Sequence, residues 1–257
     1  VEVVILPDAD AVARTAADRV ATLVRRRPGA VLGLATGSSP TGIYAELARR
    51  VAAGELDLGA VSAFALDEYV GLPPGHPQSY AAVLDRSVVR PLGLRPERVH
   101  VPDGGAVDLD AAAARYDRGI SEAGGIDLQL LGIGANGHIG FNEPTSSFAS
   151  RTRVKTLAPR TREDNARFFE APEQVPTHCL TQGLGTILEA RELLLVAQGE
   201  AKAEAVAAAV EGPLAAVCPA SALQLHRRAA VLVDEAAAAR LRLADYYRWT
   251  SDHRPLR

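Results

Sequence analysis

Cysteine is scarce: Cys179 and Cys218 are the only two in 257 residues, and they form no C-x-x-C pair. That argues against a disulfide framework and leaves two reduced thiols of intracellular type as the expectation. No charge of one sign dominates either. A formal net charge of −3 gives no electrostatic reason to expect nucleic acid, while leaving room for a local basic pocket. No apolar run is long enough to span a bilayer. The opening VEVVILPDADAVART passes from a short apolar stretch into a polar helix without a basic leader. A soluble cytoplasmic protein with neither membrane nor nucleic-acid partner is therefore expected. Internal repeats and a convincing linker are also missing, so residues 1–257 are read as a single domain, which a chain of this length can form. With 47% apolar and 23% charged residues, the composition is that of a folded globular protein.

Short apolar runs alternate with alanine-rich stretches of helical length. Residues 3–6, 30–35, 61–66, 126–131, 193–197 and 229–233 read as buried strands; 9–26, 41–53, 80–89, 109–122 and 200–210 read as helices. Strand and helix in this order predict an α/β fold with a mostly parallel central sheet and helices on both faces. Asp8 is the expected first helix cap and Gly29 the expected stop before the second strand. Residues 145–182 are the least periodic part, and a segment of about 158–182 is expected to form a lid or an interface.

Ligands of parallel sheets bind beyond the carboxyl ends of the strands, and three polar clusters fall there. The run 131–143, LGIGANGHIGFNE, leaves a strand, turns through glycines at 132, 134, 137 and 140, and places Asn136, His138 and Glu143 beside those turns. Glycines permit such turns and let a ligand approach the main chain; a histidine and a carboxylate held there can move protons near neutral pH. The second cluster, Thr36, Gly37, Ser38, Ser39 and Thr41, precedes a helix. Unpaired helix-start amides and hydroxyls can hold an anion. It is neither a Walker loop nor a G-x-G-x-x-G turn, so a phosphomonoester fits better than a pyrophosphate. Lys202, just after Gly199, could supply a compensating charge. In the third cluster, Asp67 and Glu68 end a strand and should diverge, one toward a ligand as a base, the other toward a neighbouring group. GLPPGHPQSY then leads to Ser79 and Tyr80, which could cover the site.

GHIGFNEP, ATGSSPTG and LDEYVGL, with SRTRVKTL, TREDNARFF and LTQGLGTIL, resemble the glucosamine-6-phosphate deaminase family, also called glucosamine-6-phosphate isomerases, over nearly the whole chain. The resemblance implies a modified Rossmann-like fold. It implies conversion of D-glucosamine 6-phosphate and water to D-fructose 6-phosphate and ammonia, without redox cofactor or essential metal. Because water is consumed, the reaction class is read as hydrolase, within amino-sugar catabolism and N-acetylglucosamine utilisation. The resemblance makes Asp67 the base that removes the C2 proton, His138 the group that opens the pyranose ring and Glu143 its partner. Asn136 stands where many members have aspartate; it can hydrogen-bond but cannot accept a net proton. Thr36, Gly37, Ser38, Ser39, Thr41, Arg167 and Lys202 are the implied phosphate ligands. Ser146, Ser147, Arg153 and Lys155 match positions that line a second site for an N-acetylglucosamine 6-phosphate activator in regulated members. Tyr246 or Tyr247 stands near the tyrosine of that site. A homo-oligomer, hexameric for preference, is expected. The rival readings are a 6-phosphogluconolactonase-like hydrolase, a deaminase for a related amino sugar phosphate, and a sugar-phosphate-binding regulator without turnover.

Overall fold

The computed structural model describes residues 1–253. Ten strands are present among them: β1 (Glu2–Leu6), β2 (Val31–Leu34), β3 (Ser62–Ala65), β4 (Asp67–Tyr69), β5 (Val99–His100), β6 (Leu128–Leu131), β7 (Arg153–Thr156), β8 (His178–Thr181), β9 (Glu192–Ala197) and β10 (Ala229–Asp234). The α-helices are α1 (Ala9–Arg26), α2 (Thr41–Ala52), α3 (Tyr80–Leu84), α4 (Arg90–Leu92), α5 (Leu109–Glu122), α6 (Pro159–Ala166), α7 (Leu184–Leu188), α8 (Ala203–Val210) and α9 (Ala244–Asp252). A π-helical turn, Asp85–Val89, joins α3 to α4, so the helix expected over 80–89 forms with a wider turn in its second half.

Seven strands pair in the order β1-β10-β9-β6-β2-β3-β5, and every pairing is parallel. All six strands expected from the sequence lie in this sheet. Its inner strands are nearly continuous apolar runs because helices cover both faces: β2, β6 and β10 are buried at every position, with Gln129 and Asp234 as the polar exceptions. Helix α1 shows why the alanine-rich stretches are helical. Asp8 caps it by accepting from the Ala11 N–H at 2.7 Å, and Val12, Ala13, Ala16, Ala17, Val20, Ala21 and Val24 form one buried stripe. The helix stops before Gly29, at Arg27, whose backbone (φ −141°, ψ 85°) has left the α region that Pro28 disfavours in the residue before it. No helix among the described residues is long and apolar enough to cross a membrane.

The chain runs from β2 to β3 and β5 on one side of the sheet, whereas β6, β9 and β10 build the other. The gap between β2 and β6 is the switch point where crossover loops part. A second, antiparallel sheet, β4-β8-β7, stands beside it. Gln182 stitches the two together: its N–H donates to Leu66 O at 2.8 Å and its Nε2 to Ala65 O at 2.9 Å. Only Leu66 separates β3 from β4, so the chain crosses from one sheet to the other where Asp67 begins. The segment expected to form a lid or an interface overlaps this framework at its end, since Cys179, Leu180, Thr181 and Gln182 are fully buried; the rest of it comprises α6 and the turns that follow.

Candidate active site

A cleft of about 140 Å³ opens at the switch point. Its walls come from the loop after β2 (Thr36, Gly37, Ser38, Ser39), the β3–β4 junction (Leu66, Asp67), the glycine turn after β6 (Gly132, Gly134, His138, Gly140), and Tyr80, Arg167 and Lys202.

One end suits an anion. Gly37 has φ +91°, a conformation that glycine adopts at no steric cost, and the amides of Gly37, Ser38 and Ser39 donate to no carbonyl among the described residues. Thr41 does not line the cleft; its hydroxyl donates back to Gly37 O at 3.0 Å and closes the turn. Arg167 ends α6, with its guanidinium 4.7 Å from the centre of the Phe168 ring. Neither Arg167 nor Lys202 has a carboxylate within ion-pair distance among the described residues. Burial lowers the Lys202 pKa, Asp164 opposes that, and Arg167 adds to it. A bound dianion would relieve the repulsion between the two cations.

The other end suits proton transfer. Asp67 is buried, and burial followed by the negative Glu68 next to it pushes its pKa up to about 8. The two carboxylates diverge as expected. Glu68 turns away and accepts the N–H groups of Tyr69 (2.7 Å), Tyr80 (2.9 Å) and Ala81 (2.8 Å), capping α3. The Asp67 carboxylate accepts no hydrogen bond among the described residues. His138 lines the same cleft and fits because position 134 is glycine: a Cβ there would fall 2.2 Å from the ring. Nδ1 of His138 stands 3.5 Å from Glu143 Oε2, an ion-pair distance longer than a hydrogen bond, and has no closer partner.

Asn136 and Glu143 sit behind the imidazole and do not line the cleft. Asn136 Nδ2 donates to Glu143 Oε2 at 2.7 Å, while its Oδ1 accepts the His138 N–H at 3.2 Å. Burial pushes the Glu143 pKa up, but the neighbouring His138 imidazole, Thr161 and the Ala158 N–H, which donates to Oε1 at 3.1 Å, outweigh this and hold it at about 2. The turn is pinned to the second sheet: Asn142 Nδ2 donates to Gln182 O at 2.8 Å and the Phe141 N–H to Thr181 Oγ1 at 3.1 Å.

The residues expected at an activator site lie apart from the cleft lining. Ser146 is buried and donates to Glu143 O at 2.7 Å. Ser147 Oγ accepts the Ala149 N–H, Arg153 donates to Asn142 Oδ1 at 3.0 Å, and Lys155 shares β7 with Arg153. Thr161, Asp164 and Asn165, which line the cleft from α6, are not among the expected site residues; they sit in the TREDNARFF stretch, from which only Arg167 is expected at the phosphate. Asn165 Nδ2 donates to Tyr69 Oη at 3.0 Å and Tyr80 Oη to Tyr69 Oη at 3.3 Å, tying α6 to the wall beside Asp67.

The sequence model of the glucosamine-6-phosphate isomerases/6-phosphogluconolactonase family matches residues 7–232. The chain is 58% identical to the glucosamine-6-phosphate deaminase of Cutibacterium acnes, over 98% of its own length and 97% of the relative's. It is 59% identical to that of Streptomyces coelicolor, over 99% and 98%. Among solved structures, a monomeric glucosamine-6-phosphate deaminase superposes with a TM-score of 0.91 at 41% identity, covering 93% of this chain and 100% of that one. The 6-phosphogluconolactonase of Trypanosoma cruzi superposes with a TM-score of 0.75 at 17% identity, over 94% and 97%, a likeness of fold alone. The hydrolase class read from the sequence is thereby corrected, because the relatives of high identity are named deaminases. The chain belongs to the glucosamine-6-phosphate isomerase/6-phosphogluconolactonase family, and within it to the glucosamine-6-phosphate deaminases.

Proposed function

We propose that the cleft converts D-glucosamine 6-phosphate and water to D-fructose 6-phosphate and ammonia. The observation that carries this reading is the pairing, across one cleft, of a buried carboxylate with pKa raised to about 8 and an imidazole, with two unpaired cations and free amides at the far end. His138 moves a proton between the ring oxygen and the C1 hydroxyl, opening the pyranose, and Glu143 steadies the imidazole as it gains charge. Asp67 takes the C2 proton, and the electron pair forms the C1–C2 double bond while the π pair of the C1 carbonyl moves to O1, which takes a proton, giving an enolamine. Return of the proton to C1 leaves an imine at C2, to which water adds and from which ammonia departs. Loop 36–39, Arg167 and Lys202 hold the phosphate throughout, with Thr41 shaping the loop. No step in this scheme requires a redox cofactor or a metal. The test is a coupled measurement of both products, with 6-phosphogluconolactone as comparison substrate. Equimolar fructose 6-phosphate and ammonia are expected; acid release from the lactone without ammonia would sink the proposal.

The assembly proposed is a homo-oligomer, hexameric for preference. The exposed Leu243, Tyr246 and Trp249 on and beside α9 support an interface, although a monomeric deaminase exists among the structural neighbours. N-acetylglucosamine 6-phosphate is proposed as activator at Ser147, Arg153 and Lys155, with Ser146 as support. A monomer mass at working concentration, with hyperbolic kinetics that the acetylated sugar leaves unchanged, would reject both. A cytoplasmic setting is proposed on the two free thiols.

A further inference from the structure

Lys202 reaches the cleft from an insecure mount. It ends a three-residue 3₁₀ turn, Glu200–Lys202, that begins at Gly199 with φ +84°. A turn of that length holds few bonds of its own, and glycine gives its entry the widest conformational freedom. What fixes it lies outside the cleft. Strands β9 and β10 run in register, with Ala197 opposite Val233, which brings Asp234 beside the residues following β9. The Asp234 carboxylate is buried and accepts the Gly199 N–H on both oxygens at 3.0 Å, while Oδ1 also accepts the Ala237 N–H at 2.7 Å. The adjacent Gln198 reaches the other way, donating from Nε2 to Ser39 O at 3.3 Å. One short segment therefore ties the cation turn to the end of β10 and to the amide loop after β2.

We propose that Asp234 and Gln198 are positioning residues for phosphate recognition: they set the distance between the Lys202 ammonium and the amides of loop 36–39 without touching the substrate. This rests on the phosphate site proposed above. Bonds to a charged acceptor are the stronger kind, so Asp234 carries more of the load. Removing it lets the turn drift, and misplacing a binding group costs affinity without altering the acid–base pair at the far end.

The experiment measures KM, kcat and the inhibition constant of inorganic phosphate for the full-length parent, D234A, D234N, Q198A and K202A. D234A is expected to raise KM and the phosphate inhibition constant together, on the order of tenfold, within the range for one charge-assisted hydrogen bond, while kcat stays near the parent value. D234N keeps one oxygen that can accept from both amides and should recover most of the loss; Q198A should show a smaller rise in both constants. A purely structural role would lower the folded fraction and the melting temperature without moving the phosphate constant. If K202A leaves phosphate inhibition unchanged, the phosphate site itself is misassigned. If K202A weakens phosphate but D234N, Q198A and a folded D234A all match the parent, the positioning role is overturned. Should D234A fail to fold, Q198A decides alone, parental constants rejecting the proposal.

Discussion

At Asp67 two effects act in the same direction, burial at the junction of the two sheets and the negative Glu68 beside it, and together they bring the carboxyl to about 8. A base must be ionised to accept a proton, so kcat/KM should fall as pH drops below an apparent value near 8. D67N should lose roughly 10²–10⁴-fold in kcat and keep KM within a small factor; near-parental turnover of the purified variant removes the residue from the mechanism. Asn136 lends itself to a different test. Its Nδ2 donates to Glu143 Oε2 at 2.7 Å, so aspartate there would set two carboxylates against each other, sharing one proton. The new acid would have a raised folded-state pKa, so its stability is present at low pH and lost as pH rises. N136D should melt at a temperature that falls increasingly below the parent's between about pH 5 and 8, whereas an N136L deficit should not change with pH. A pH-independent gap for N136D contradicts the shared-proton account. The sequence showed Asn136, His138 and Glu143 as neighbours of a turn, but not that Asn136 and Glu143 stand behind the imidazole; that order is set by Gly134 making room for the ring, a three-dimensional fact.

Elements were legible in proportion to their apolar pattern. The six buried strands of the parallel sheet read directly as apolar runs. Strands β4 and β7, DEY and RVKT, are three and four residues long and carry charge, so neither periodicity nor propensity marks them. Strand β8, HCLT, is buried at Cys179, Leu180 and Thr181 yet lies in a stretch too irregular to separate from the lid. Helix α6 lies in the same irregular stretch and carries no apolar stripe to mark it, because its packing is small: Thr161 is its one buried residue. Few buried contacts are what a segment that opens locally requires. Amides of residues 159–169 should exchange faster than those of α1, and fructose 6-phosphate should slow them by giving Arg167 a partner. R167A should raise KM and abolish that added protection. Exchange in α6 unaffected by ligand in the parent would show that the helix does not close on the phosphate.

The whole molecule is two arms of one sheet meeting at a cleft, with a small second sheet bracing the junction. The loops after β2, β6 and β9, the β3–β4 junction and Tyr80 all line one cleft, so a ligand bound there would link segments that are otherwise joined through the core and through tethers such as Gln198 to Ser39. A ligand that binds only this assembled arrangement stabilises the native state by mass action, about 2.7 kcal/mol at roughly a hundred times Kd. For a domain of this size that corresponds to a rise of roughly 5–11 °C in Tm. Fructose 6-phosphate should produce it, and fructose without phosphate should not, because much of the linkage runs through the anion end. The shift should shrink in both R167A and K202A and weaken with salt, since the cations are only partly shielded from solvent ions. The formal net charge of −3 makes that salt dependence diagnostic: an anion drawn to an acidic protein owes its binding to local charge at the cleft, so equal shifts at low and high ionic strength would argue that the phosphate lies elsewhere.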